Sequence, residues 1–195
     1  MAIDRRVERS RNALYGALAR QILSRQYDEI AIGDVVADAG VGRSTFYAHF
    51  RSKEDLLARS FERVTPILAH GRLLQLRRPR VESCQATLAL FRHVHEHRAI
   101  LRALEGSRGH EIVLRSIEAR LKSFLGGFSR AAGRDGLPRD LVLDFMGGTF
   151  LSVATWWLGR NALPSAEEVD AIYHRLVDRA VPKDFFVNDA RRAAA

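Results

Sequence analysis

The stretch Asp34 to Lys53, DVVADAGVGRSTFYAHFRSK, limits what this chain can fold into more than any other. Val35, Val36 and Ala39 recur at helical spacing. Gly40 follows, and glycine takes the left-handed conformation that ends a helix sharply. Val41 is then an apolar plug. Arg43 to His49 forms a second short segment, with Phe46 and Phe50 at i, i+4 and Arg43, Ser44, Thr45, Tyr47 and His49 on its other faces. Two short helices joined by a tight glycine turn make a helix-turn-helix, whose second helix fits the major groove of DNA. The chemistry of that helix suits the task. Arginine bonds guanine O6 and N7 in a bidentate way, and serine and threonine reach base edges or phosphate. Tyrosine, histidine and lysine add phosphate contacts that fix register. The same residues also suit a small helical corner with ordinary surface polars.

A longer pattern separates the two. Tyr27-Asp28, Asp34-Val35, Ala39-Gly40-Val41, Ser44-Thr45-Phe46-Tyr47, His49-Phe50 and Ser52-Lys53-Glu54 together resemble the DNA-binding domain of the TetR family. The resemblance covers about the first third of the chain. It implies that Arg43, Ser44 and Thr45 face bases or nearby phosphates, and that Tyr47, His49 and Lys53 grip the backbone. Two positions depart from the pattern. Ile30 and Ala31 stand where the family places a capping threonine or serine before helix 2, and Gly42 stands where helix 3 usually begins at serine. Glycine is a tolerable cap and alanine a poor one, at about 1 kcal/mol for Ser→Ala. Two phosphate contacts common in the family are therefore expected to be missing.

With 195 residues and 47% hydrophobic residues, the chain has ample length for a core. The single cysteine, Cys84, leaves no internal disulfide and fits a reducing cytoplasm. The segment MAIDRRVERSR lacks the apolar core of a signal peptide. The longest uncharged run, Phe145 to Gly159, is shorter than the roughly 20 residues of a membrane span, so no membrane partner is expected. The net charge of +8 argues little for DNA once it is located. Residues 1–63 hold 11 basic and 9 acidic residues, whereas residues 72–130 hold 12 and 5. Most of the excess lies outside the motif.

Periodicity predicts about nine helices and no strand. Asp4 is a candidate cap for a first helix with Val7, Leu14, Leu18 and Ile22 inward. Arg5 and Arg6 suit either a minor-groove arm or plain surface. Ser52 caps a fourth helix with Asp55 as reciprocal partner, and Pro66 should kink it. Later helices are expected over residues 82–95, 98–104 (closed by Gly106 and Gly109), 111–132, 139–161 and from Ser165, where Glu168 completes a capping box. The eighth is apolar almost all round, and Gly147, Gly148 and Ser152 permit close approach. The boundary between a DNA-binding domain and a regulatory and dimerisation domain is expected at 51/52, giving 1–51 and 52–195.

The remaining constellations are weaker. His93 and His97 lie at i, i+4, a workable zinc pair, but His95 points away and no carboxylate or cysteine with evident spacing completes a site, so neither metal nor cofactor is expected. No catalytic set is visible, and the chain is not expected to be an enzyme. Phe91, Val94, Leu121, Phe124, Phe128, Phe145, Thr149 and Trp156 border a ligand pocket or are simply core. The last two helices are similar to the dimer-forming pair of the family, which assigns Gly148, Ser152, Val169, Ile172, Tyr173 and Leu176 to a homodimer interface. The resemblance thus implies an all-helical, cytoplasmic, dimeric repressor that binds a near-palindromic operator in double-stranded DNA and releases it for a small-molecule effector. The alternative is a small-molecule- or protein-binding relative that has lost its operator.

Overall fold

The computed structural model describes residues 2–61, 79–127, 137–160, 162 and 164–181. Among them are nine α-helices and no strand: α1 Ala2–Ser24, α2 Ile32–Asp38, α3 Arg43–His49, α4 Lys53–Phe61, α5 Pro79–Glu96, α6 Arg98–Ala103, α7 Arg108–Gly126, α8 Arg139–Leu158 and α9 Ala166–Ala180. A 3-10 turn, Tyr27–Glu29, lies between α1 and α2. The kink at Pro66, the pocket residue Phe128 and the tail after Pro182 fall outside the described residues.

Two compact units divide the chain: residues 1–62 with 97–116, and residues 63–96 with 117–195. The first unit therefore takes in α4, α6 and the start of α7, all beyond the expected boundary at 51/52. In it, α1 packs on α2, α3, α4 and α6. It buries Leu14, Ala17, Leu18 and Ile22, while Val7 is only half-buried. An Arg20–Asp38 pair with two hydrogen bonds, at 3.1 and 3.2 Å, ties α1 to the end of α2. Such exposed pairs contribute at most about 1 kcal/mol, so the apolar contacts hold the unit together.

Three local readings change. The first helix begins at Ala2, so Asp4 lies within it and is not its cap. Pro79 opens α5, where its missing N–H costs nothing. Gly109 does not close a helix. It lies in the first turn of α7, which starts at Arg108, and the turn before it is made by Gly106 at a φ of +77°.

The second unit has an aromatic centre. Phe91 of α5 lies 4.4 Å from Phe150 of α8, and both meet Tyr173 of α9 near 6 Å, at 6.0 and 5.9 Å between ring centroids. Trp157 is fully buried, donates from Nε1 to the Pro164 carbonyl at 3.0 Å and stacks on His95. Trp156, one residue earlier, is 43% exposed. A buried polar cluster joins α5 to α9: the Thr87 hydroxyl donates to Asp170 at 2.6 Å and lies 2.8 Å from Nε2 of His174. The box at the start of α9 forms as expected, with Glu168 N–H donating to Ser165 Oγ and Ser165 N–H to Glu168 Oε2. By length and composition α8, 20 residues with an 18-residue window of mean hydropathy 1.4, is apolar enough to cross a membrane. In this fold one side of it, including Val142, Met146, Phe150, Val153 and Trp157, is buried in the unit.

Candidate nucleic-acid interface

The helix-turn-helix is built from its apolar residues outward. Val35 and Phe46 are essentially fully buried, as is Phe50, and Phe50 packs on both Tyr15 and Phe46 with centroids 5.5 and 5.8 Å apart. These rings fix α3 against α1. Gly40 adopts a φ of +62° just past α2. Its N–H donates to the Ala37 carbonyl and the Val41 N–H to the Val36 carbonyl, so the last orphan carbonyls of α2 are satisfied by a Schellman pair.

Inward anchoring decides what points out. Arg43, Ser44 and Tyr47 are exposed, and Thr45 and His49 are half-buried. Tyr47 is 58% exposed, a large ring left on the surface while its neighbour Phe46 is fully buried. The Arg43 guanidinium lies over Gly33: a Cβ there would stand 3.2 Å from Nη2. The first turn of α2 therefore leaves space beside the arginine at the head of α3.

The unusual caps are as the sequence implies. Neither Ala31 nor Gly42 makes a side-chain cap bond. Only the return half of a capping box exists at α2, where Ala31 N–H donates to Asp34 Oδ2 at 3.3 Å, and Arg25 also reaches that carboxylate at 3.1 Å. At α4, Asp55 N–H donates to Ser52 Oγ at 3.2 Å, but Asp55 returns to the N–H of Arg51 and not to that of Ser52.

Lys53 is placed differently from the other five expected DNA-binding residues. Its ammonium donates to the Tyr27 carbonyl at 2.7 Å and stands 4.3 Å from the centre of the Tyr27 ring. Burial pushes its pKa below the ordinary lysine value, while the Glu54 and Asp28 carboxylates act in the opposite sense. No local signal pointed to this contact, which spans 26 residues of chain.

In the second unit the expected pocket and interface residues are redistributed. Phe91, Val94, Leu121 and Phe124 are buried core. Val169 and Tyr173 are also fully buried within the unit and present no surface. Phe145, Thr149 and Trp156 instead share one open groove of ≈ 710 Å³ with Gly148, Ser152, Ile172 and Leu176. Leu141, Phe145, Trp156 and Leu176 are 57, 43, 43 and 49% exposed.

Residues 9–59 match the family model described as bacterial regulatory proteins, tetR family. Over 62 residues the chain is 40% identical to the uncharacterized HTH-type transcriptional regulator YxbF of Bacillus subtilis (strain 168), a match spanning 31% of this chain and only 16% of that protein. The fold extends the likeness along the chain. A TetR transcriptional regulator from Streptococcus agalactiae 2603V aligns over 91% of this chain and 98% of its own, with a TM-score of 0.59 at 22% identity. A putative TetR-family regulator from Syntrophomonas wolfei aligns over 88 and 94%, with a TM-score of 0.67 at 17% identity. Residues 9–59 are thus similar to the DNA-binding domain of the tetR family of bacterial regulatory proteins, and the all-helical fold is that of these regulators.

Proposed function

We propose that this protein is a DNA-binding transcriptional regulator that acts as a two-fold dimer and represses transcription until a small molecule releases it. The observation that carries the DNA reading is the division of α3. Phe46 is fully buried and packs on Phe50 of the α3 C-cap, which in turn meets Tyr15 of α1, and Arg43, Ser44 and Tyr47 are left facing out. A helix held by one face and offering an arginine, a hydroxyl and an exposed tyrosine on the others suits insertion into a major groove. Ser44, Thr45, Tyr47 and His49 join Arg43 as the proposed contacts.

The dimer reading rests on the α8–α9 groove. Exposed leucine, phenylalanine and tryptophan side chains lie together along α8 and α9, and Gly148 and Ser152 allow a partner helix to come close. Within the proposed interface Ile172 and Leu176 supply contact surface, and Val169 and Tyr173 hold α9 from behind. Repression and the effector rest on the family resemblance, as does a site of action in the cytoplasm. The effector would shift the dimer toward a state with wrongly spaced recognition helices.

The second reading is a relative without an operator, favoured by the uncapped Ala31 and Gly42 and by the engaged Lys53 ammonium. A gel shift with the DNA upstream of the protein's own gene separates the two. Retarded complexes that resist unrelated competitor DNA support the regulator. Equal competition by both DNAs supports the alternative.

A further inference from the structure

We propose that Lys53 is a positioning residue, not a phosphate contact: it holds the start of α4 on the Tyr27 turn, which Gly109 in turn docks against α7. This deepens the DNA-binding reading and rests on it.

Three contacts within the first unit carry the proposal. Lys53 Nζ donates to the Tyr27 carbonyl at 2.7 Å and lies over its ring at 4.3 Å, so one side chain grips both backbone and ring of the same residue. The Tyr27 ring is 1% exposed, and Gly109 presses on it so closely that a Cβ would fall 2.9 Å from Cγ and Cδ1, and 2.7 Å from a Leu104 methyl. Gly109 has an ordinary helical φ, so what demands glycine here is space and not backbone freedom. Beside the ring, Arg108 N–H at the head of α7 donates to Asp28 at 3.4 Å.

Electrostatics points the same way. The carboxylates of Glu54 and Asp28 stabilise the Lys53 ammonium, against burial and the Arg108 cation, which oppose it. A phosphate approaching Lys53 would meet those two negative charges as well. The same two carboxylates favour keeping the ammonium where it is.

The consequence concerns α2 and α3. The Tyr27 turn leads directly into α2 through Ile30, which is buried, and Ala31, which supplies no cap. Helix α2 is held along its buried face by α1, and at its uncapped start by the turn that precedes it. The Lys53–Tyr27–Gly109 stack therefore helps to set where α2, and through the Gly40 turn α3, presents its outer face.

Salt dependence separates positioning from phosphate contact. Each phosphate neutralised contributes about −0.9 to the slope of log Kobs against log[salt] on B-DNA. Lys53→Met in the full chain should weaken binding to the upstream DNA roughly tenfold with that slope unchanged. Gly109→Ala, which touches no charge, should do the same. A slope reduced by about 0.9 per lysine in Lys53→Met would overturn the proposal. Amide hydrogen exchange gives a reading free of DNA. Residues 30–36 should exchange faster in both variants than in the wild type, and unchanged exchange in a folded Lys53→Met would also overturn it. If Gly109→Ala fails to fold, Lys53→Met still gives both readings. If the wild type binds no DNA specifically, the regulator reading fails, and exchange alone decides the role of Lys53.

Discussion

Gly40 makes the sharpest stability prediction because only one physical effect operates there. Its φ is +62°, and no heavy atom lies within 4 Å of where a Cβ would stand. Gly40→Ala therefore meets no steric clash and pays only for a left-handed backbone. That conformation costs an ordinary L-residue about 1–2 kcal/mol. Restricting the unfolded chain offsets about 0.4–1 kcal/mol. The net expectation is a loss of about 1 kcal/mol, read as a lower urea midpoint by circular dichroism on the full chain. Gly40→Asn should lose less, because asparagine tolerates the left-handed region. Gly106→Ala, at a φ of +77° and with equally open space, should lose about as much as Gly40→Ala. Gly33→Ala is the opposing control. It lies inside α2 at a helical φ, where only the movable end of Arg43 is near, and it should gain about 0.5–1 kcal/mol. If Gly40→Ala matched the wild type, or asparagine there were no better than alanine, the assigned turn would be wrong.

Other consequences concern the two units separately. Ile172→Glu with Leu176→Glu should yield a folded monomer by light scattering, because both side chains line the open groove, whereas Val169→Glu should unfold the second unit by placing a charge in its core. The Tyr27 hydroxyl is buried with no hydrogen-bond partner among the described residues, so Tyr27→Phe should be neutral or raise stability by about 1 kcal/mol in urea unfolding. Burial raises the pKa of Tyr27 and of Tyr173 above the ordinary 10.0. The unfolded chain then releases those protons first, so stability present below pH 10 should fall as pH rises above it, less steeply in a double Tyr→Phe variant.

Much of this arrangement is legible in the chain because it is written locally. The Gly40 turn, the Ser52 cap, the box at Ser165 and the stripe of α9 depend on residues a few positions apart. What could not be read depends on contacts distant in sequence. The stripe of α9 identifies a helix, but Val169 and Tyr173 turn inward while Ile172 and Leu176 turn out, and a wide stripe carries no mark of which edge meets which neighbour. Helix α8 is apolar on nearly all sides, so its composition could not tell Phe150, at the aromatic centre, from Phe145, on the open groove. Gly109 reads as a helix stop by local rules. Its use lies in the ring of Tyr27, far back in the chain. Lys53 follows the family pattern, yet its amine is taken by a carbonyl that no periodicity points to.

Footprinting on the DNA upstream of the protein's own gene checks the proposed reading of DNA by the outer face of α3. Two related half-sites about one helical turn apart should be protected. Arg43→Ala should cost about 1–3 kcal/mol in affinity and relax preference at the guanine it contacts, with circular dichroism unchanged. Protection with no sequence preference, or an Arg43→Ala protein whose preference equals that of the wild type, would contradict it.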